Sequence, residues 1–290
     1  MNPFRRCLCA ALGALTLFAV GCASAAEPSP PTIPTLPPRQ TSATISLMSW
    51  NVLNPSWDGG PVENRVSGLL ATINKEKPDL IGFQEASQPW HDQFASLPDC
   101  YVAVNARTAK DKAAMTTFFY NNEVLTLKEN GIIDLDANSD IRIVSWAVFA
   151  VNGADVQFLI TNTHPDSRQT QCYEHTLQYL EIVRTLQSEK NLPLLCVGDF
   201  NATELSDSYN LHIRDGFGDA KYADGVELLN DADSYLKGDY GGLVTQGLGS
   251  RDHIFYKGAV KPITFTTLVS NDTLLVSDHL PILGTLLIGE

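Results

Sequence analysis

Basic residues are scarce in this chain of 290 residues, where 20 Lys and Arg stand against 33 Asp and Glu for a formal charge of −13. A molecule of that sign gains nothing from its overall field in capturing a polyanion, so a phosphate-bearing ligand must be recruited locally, most simply through a bound cation. No basic or aromatic-interleaved stripe of the kind that tracks nucleic acid is present, and no internal repeat is visible. Cysteine is rare as well. Beyond the amino-terminal Cys7, Cys9 and Cys22 there are only Cys100, Cys172 and Cys196, and no Cys/His spacing suggests zinc. After residue 20 no apolar stretch approaches the length of a membrane-spanning helix.

What remains is an ordinary globular composition, 44% hydrophobic and 18% charged, long enough for one large domain or two small ones. The amino end stands apart. Arg5 and Arg6 precede an apolar run from Leu8 to Val20 and then small residues, the pattern of a secretory signal peptide over residues 1–26. Two cleavage readings stay open. Ala23-Ser24-Ala25 fits ordinary signal peptidase, whereas Ala19-Val20-Gly21-Cys22 resembles a bacterial lipoprotein box that would leave Cys22 lipidated. Both place the mature protein outside the cytoplasm, in the periplasm, the medium or tethered through Cys22 to the envelope. Losing Arg5 and Arg6 leaves 18 basic against 33 acidic residues, a net of −15. Residues 27–42 carry six prolines and read as an extended spacer, and residues 43–290 as the folded domain. In an oxidising compartment Cys100 and Cys172 stand as a disulfide or as two thiols; Cys196, within a strand, reads as a buried thiol.

The apolar run Leu194-Leu195-Cys196-Val197 reads as a buried strand that gives out in Gly198-Asp199-Phe200-Asn201. If strand geometry persists to the tip, Asp199 and Asn201 point the same way; the alternative is an Asx-type turn. Other strands are expected over Thr44–Asn51, Leu80–Phe83, Tyr101–Val104, Thr116–Tyr120, Val124–Leu127, Ile141–Val151, Val156–Asn162, Asp252–Tyr256, Ile263–Val269 and Leu280–Ile288. One helix is expected to start at Pro61 and to stop at Lys77-Pro78-Asp79. A second should present Tyr173, Leu177, Leu180, Val183 and Leu186 on one face, while residues 202–250 read as short helices and long loops. Five strands end on polar residues: Asn51, Glu85, His164, Asp199 with Asn201, and Asp278 with His279; Asp252 stands at a strand start. Each alone is an ordinary turn former, but ligand sites collect at strand ends.

Ser49-Trp50-Asn51-Val52, Ile81-Gly82-Phe83-Gln84-Glu85, Asn162-Thr163-His164, Gly198-Asp199-Phe200-Asn201-Ala202, Asp252-His253-Ile254-Phe255 and Ser277-Asp278-His279-Leu280-Pro281 together resemble the endonuclease/exonuclease/phosphatase superfamily, in its order. Arg142 with Trp146-Ala147-Val148-Phe149 resembles a strand of its bacterial members. The resemblance implies a four-layered α/β sandwich: two packed, mainly antiparallel sheets flanked by helices, with the site at one end. It implies Glu85 as the main metal ligand, assisted by Asn51 and Asp278. It also implies that Asp199 orients or deprotonates water, Asn201 holds a phosphate oxygen, and His279, oriented by Asp252, contacts phosphate and moves a proton. His164 would steady charge on the phosphoryl group or leaving oxygen. Oxygen donors of this kind suit Mg²⁺ first, then Mn²⁺ or Ca²⁺.

Departures from the family pattern are Leu53 where several nucleases place Asp, Arg251 in a commonly aliphatic slot, His253 for a common Tyr, and Pro165-Asp166 after His164. His91, His175 and His212 match no motif and read as surface or core residues. The function expected is an exported, metal-dependent phosphoesterase cleaving phosphodiesters, nucleic acid among them, as a monomer. The alternatives are a phosphoinositide phosphatase or sphingomyelinase-like enzyme acting on inositol phosphates or phospholipid head groups, and an inactive envelope binding protein.

Overall fold

Period-two alternation of apolar side chains sends successive residues of one strand to different layers. In the strand Leu194–Asp199, Leu195 and Val197 join one apolar cluster while Leu194 and Cys196 join another. A computed structural model of the chain describes residues 40–104, 115–135, 141–236 and 249–289. The leader, Cys22 and the spacer up to residue 39 lie outside the described residues.

The described elements are, in order, β1 (Ser42–Asn51), α1 (Val66–Glu76), β2 (Leu80–Gln84), α2 (Gln88–Phe94), β3 (Tyr101–Val104), β4 (Thr116–Asn121), β5 (Leu125–Asp134), β6 (Ile143–Val151), β7 (Gln157–Thr163) and α3 (Gln169–Lys190). They continue with β8 (Leu194–Asp199), α4 (Asp207–Arg214), β9 (Gly218–Asp219), β10 (Glu227–Asn230), β11 (Asp252–Lys257), β12 (Val260–Thr267), α5 (Asn271–Leu274) and β13 (Ile282–Gly289). One sheet has the order β10-β12-β13-β1-β2-β4-β3, the other β5-β6-β7-β8-β11-β9. Only β1–β2, β10–β12 and β7–β8 pair in parallel; the other described neighbours are antiparallel.

Ile45, Leu47, Phe118, Phe149, Leu195, Val197 and Ile254 fill the space between the sheets. Met48, Trp50, Ile81 and Phe83 face outward from the first sheet and are covered by Leu69 and Ile73 of α1 and by Trp90 and Phe94 of α2. Leu159, Leu194, Cys196 and Phe255 face outward from the second, beneath Tyr179, Leu180 and Val183 of α3 and Tyr209 of α4. Helices, sheet, sheet and helices make the four layers expected. Each fully buried aliphatic or aromatic side chain contributes about 1.5–3 kcal/mol.

Some expectations need correction. The helix after Pro61 is broken: a 3-10 turn covers Val62–Asn64 and α1 starts only at Val66. Between them the buried Arg65 donates to the carbonyls of Val52, Leu53 and Val276 at 2.7–2.9 Å, which ties the chain after β1 to the loop before β13. On α3 the buried face is Cys172, His175, Thr176, Tyr179, Leu180, Val183 and Leu186, whereas Tyr173 and Leu177 are exposed. The small polar Thr176 and the Tyr179 hydroxyl fit this face because each finds an acceptor or partner, on Cys172 and Thr161. Cys100, Cys172 and Cys196 are all free thiols: Cys172 packs over the second sheet, Cys100 leads into β3 of the first.

Candidate active site

Strand register brings the polar tips to one end. Asp252 lies opposite Asp199 in the β8–β11 pair, Asn51 beside Gln84 in β1–β2, and Thr163 beside Gly198 in β7–β8. Glycine is required at 198 because a Cβ there would meet the Thr163 carbonyl oxygen at 2.3 Å. That close approach sets His164 and Asp199, one residue further on each strand, side by side. The tips are also strained. Of the five described non-glycine residues with positive φ, Lys77 and Asn191 are left-handed caps of α1 and α3. The other three, Leu53, Glu85 and Asn201, come within two residues of the ends of β1, β2 and β8 at the site, where such conformations cost about 1–3 kcal/mol each and persist only when the surroundings enforce them.

Two carboxylates are held by one amide. Asn51 Nδ2 donates to Glu85 Oε1 at 2.9 Å and to Asp199 Oδ2 at 3.0 Å, while its Oδ1 accepts from Leu53 N. Glu85 Oε2 accepts from Asn54 N at 2.8 Å, and burial raises this carboxyl above its ordinary range against the help of those donors. Its nearest imidazole, His164 Nε2, stands 3.9 Å away, and burial lowers that ring to about 3, so it is neutral at pH 7. Among the described residues Glu85 thus has no cationic partner in contact. A buried carboxylate aimed into a cleft without one fits a hard divalent cation, and Asp278, half-buried on the same cleft, is a second oxygen donor. Asn51 spaces the two carboxylates; giving its own oxygen to a cation would require the amide to turn over and release Leu53 N.

His279 is bonded on Nδ1 to Asp252 Oδ2 at 2.8 Å, and its Nε2 stands 3.5 Å from Asp199 Oδ2. Burial alone would lower its pKa, but the charges of Asp252 and Asp199 outweigh it and raise the ring to about 10, so it is an imidazolium at neutral pH. Asp252, pushed up by burial, accepts a second bond from Ser234 Oγ at 2.6 Å, and its Oδ1 has no partner. Asp199 feels the opposing push of burial, yet the charged His279, 3.5 Å away, with the donors Asn201 N and Asn51 Nδ2, holds it below the usual carboxylate range. Asp199, Asp252 and His279 offer ligand atoms within 4.8 Å of one another. With the imidazole already bonded between two carboxylates, we read them as a proton-holding array and not as a cation cage.

Asn201 does not point along the strand as Asp199 does. β8 ends at Asp199, Asn201 turns left-handed with its N–H on Asp199 Oδ1 at 2.9 Å, and the Asx turn is the arrangement found. Its amide nitrogen donates to the Pro165 carbonyl at 3.0 Å. A cleft of about 330 Å³ joins Glu85, His164, Asp199, Asn201, Asp278 and His279 with Trp57, Arg142, Tyr235 and Arg251. Sequence reasoning gave Trp57 and Tyr235 no role, since both sit in irregular segments without periodicity. It also gave no role to a buried polar layer beneath the cleft, where Gln84 Nε2 donates to Asn162 Oδ1 at 2.8 Å and Asn162 Nδ2 to the Phe83 and Thr117 carbonyls. Both residues stand in the quoted motifs; their inward position at strand ends is the signal. The remaining histidines serve structure: His175 Nδ1 accepts from Asp166 N, His212 stacks on Phe255, His91 meets the edge of Phe94, and His253 bridges Asp219 and the Ala202 carbonyl.

The sequence profile of the Endonuclease/Exonuclease/phosphatase family matches residues 48–279. The chain belongs to that family. Among solved structures it is similar to an endonuclease/exonuclease/phosphatase family protein from Bacteroides thetaiotaomicron, with 21% identity and a TM-score of 0.71 over 87% of this chain and 97% of that one. It is similar to a mannosyl-6-phosphatase from the same species, with 24% identity and a TM-score of 0.68 over 83% and 99%. A third is D. rerio TDP2 in complex with a single-strand DNA product, with 17% identity and a TM-score of 0.65 over 84% and 99%. These likenesses show the fold. No curated protein matches the chain at a significant level.

Proposed function

We propose that this protein is a divalent-metal-dependent phosphoesterase, exported from the cytoplasm by its amino-terminal leader, that hydrolyses a phosphate ester by attack of water. The observation that carries the reading is the pairing, in one cleft, of a cation-seeking carboxylate, Glu85, with an imidazolium, His279, fixed between two carboxylates. Glu85 and Asp278 would hold Mg²⁺, with Mn²⁺ or Ca²⁺ as substitutes, and Asn51 would keep Glu85 in place. The cation, when bound, would neutralise phosphate oxygens and offset the repulsion of a strongly acidic protein.

The chain's own groups supply the rest. Asp199, kept ionised by the charged His279, orients the attacking water through Oδ2. His279, charged and fixed on Asp252, steadies the phosphate through Nε2 and holds a proton there for transfer. His164, neutral, sets its Nε2 3.4 Å from Asp199 Oδ2, beside the phosphoryl position. Asn201 shapes the loop at the tip of β8, its amide nitrogen being occupied by Pro165.

The substrates set out from the sequence were nucleic acid, phospholipid head groups and inositol phosphates, and the similar structures include both a sugar phosphatase and a protein bound to DNA product. Among the described residues no helix is long and apolar enough to cross a membrane; attachment, if the lipoprotein reading holds, would run through Cys22. The test is a panel of plasmid DNA, RNA, sphingomyelin, inositol phosphates, sugar phosphates and chromogenic esters with Mg²⁺, Mn²⁺ and EDTA. Hydrolysis that EDTA abolishes and metal restores is expected; no hydrolysis of any member, or turnover indifferent to EDTA, would refute the reading.

A further inference from the structure

Arg251 stands immediately before β11 and lines the cleft. Its backbone is fixed: the N–H donates to Ser234 Oγ at 3.1 Å and the carbonyl accepts from Phe200 N at 2.9 Å. Its guanidinium lies over the Tyr235 ring, with Cζ 3.8 Å from the centroid. Nη1 reaches Asn201 Oδ1 at the long distance of 3.4 Å, and the buried Nε has no hydrogen-bond partner. No carboxylate among the described residues pairs with it. A planar cation held flat on an aromatic face, with a buried donor unused, is arranged for an anion from outside the chain.

The cleft holds a second guanidinium. Arg142 enters from the start of β6, with Nη1 fixed on the His164 carbonyl at 2.9 Å, so the two arginines approach from different strands of the second sheet. Three sets of groups therefore converge on one volume of about 330 Å³: the Glu85 and Asp278 edge, His279 Nε2, and the two guanidinium forks. Each asks for a non-bridging phosphate oxygen. A phosphomonoester presents three such oxygens, a diester two.

We propose that Arg251, clamped on Tyr235, is a specificity-determining residue that grips the third non-bridging oxygen of a terminal phosphate, so that the site takes phosphomonoesters in preference to diesters. This rests on the phosphoesterase reading above. Water oxygen bonds to phosphorus, the single ester P–O bond breaks, the leaving oxygen takes up a proton, and an alcohol and inorganic phosphate result. Trp57 gives the cleft an aromatic wall against which the alcohol portion lies, the Tyr235 ring being taken up by Arg251 and His279.

The experiment compares the protein with Arg251→Ala and Arg251→Lys on p-nitrophenyl phosphate and bis(p-nitrophenyl) phosphate with Mg²⁺. Inorganic phosphate is titrated calorimetrically in EDTA, and urea midpoints confirm folding. The parent should favour the monoester in kcat/KM. Arg251→Ala should raise the monoester KM about 10- to 100-fold, the worth of a charge-assisted bond, with a much smaller loss on the diester. Phosphate affinity should fall by a similar factor, and the Lys variant, which keeps the charge without the fork, should lie between. Preference for the diester, equal losses on both esters, or phosphate binding indifferent to Arg251 would overturn the proposal. If neither ester is hydrolysed, the phosphate titration alone decides the role of Arg251, and the phosphoesterase reading stands or falls on the wider panel above.

Discussion

Replacing Asp252 by Asn separates the chemistry of the His279 array from its contribution to stability. With the ring raised to about 10, well above a free imidazole, the site prefers the charged form of His279 strongly. The carboxylate of Asp252 is the largest favourable source of it. An Asn side chain occupies the same space. Its oxygen can take the Oδ2 position, accepting from His279 Nδ1 and Ser234 Oγ, and its NH₂ falls where Oδ1 has no partner now. One unpartnered atom replaces another, so the stability loss should be about 1 kcal/mol, the difference between a charge-assisted and a neutral hydrogen bond. Turnover should fall about 10²- to 10⁴-fold, the range expected when proton transfer is disabled. His279→Ala should cost as much turnover but about 3–5 kcal/mol of stability, because it leaves a buried carboxylate unpaired. The double variant should turn over little worse than the poorer single, since the pair acts as a unit. Turnover and urea unfolding of the three variants decide the matter. Rate losses that multiply, or that follow the unfolded fraction, would refute the dyad.

Substitutions at two further positions probe the strained and buried surroundings. Asn201 holds a left-handed backbone, so of Asn201→Gly and Asn201→Ala, which both lose the bond to the Pro165 carbonyl, Ala should be the less stable by about 1–2 kcal/mol; equal midpoints of the two would show the turn to be unstrained. His253 bonds Asp219 Oδ2 at 2.9 Å and the Ala202 carbonyl at 2.8 Å, and although burial opposes it these partners raise its pKa. A folded pKa above the unfolded one means stability that is full below the unfolded value of about 6.5 and lost as pH rises through the folded one. Urea unfolding across that range should therefore show alkaline weakening in the parent that His253→Gln abolishes; identical pH slopes would contradict the charged pair.

The strands and the end on which the site sits were legible because buried strands announce themselves as apolar runs and their tips as polar residues in fixed order. Leu194–Asp199 lies where the sequence puts it, and Asp199, Asp252 and His279 converge as the motifs imply. What escaped depends on partners far along the chain. The buried face of α3 is decided by what Cys172 and Tyr179 meet on the second sheet, and polarity misleads there because Thr176 and the Tyr179 hydroxyl find bonds. Arg65 looks like a surface cation in the sequence; three carbonyls from two loops make it a buried one. Asn201 departs from strand alternation because Asp199 Oδ1 captures its N–H before another residue can extend the strand. The short β9 and β10 lie within residues 202–250, where neither has the length to show a period.

The central claim is that Glu85 seats a divalent cation needed for ester hydrolysis. Glu85→Gln keeps the size of the side chain and removes one negative charge; its one oxygen can keep the bond from Asn54 N, while its NH₂ replaces the acceptor that Asn51 Nδ2 now uses. Calorimetric Mg²⁺ titration of parent and variant, with phosphate release measured on the same samples, is the most direct test. The account predicts that Mg²⁺ affinity and turnover fall together while stability falls by no more than the loss of one buried hydrogen bond, about 1–3 kcal/mol. A variant that binds Mg²⁺ and releases phosphate as the parent does would contradict it.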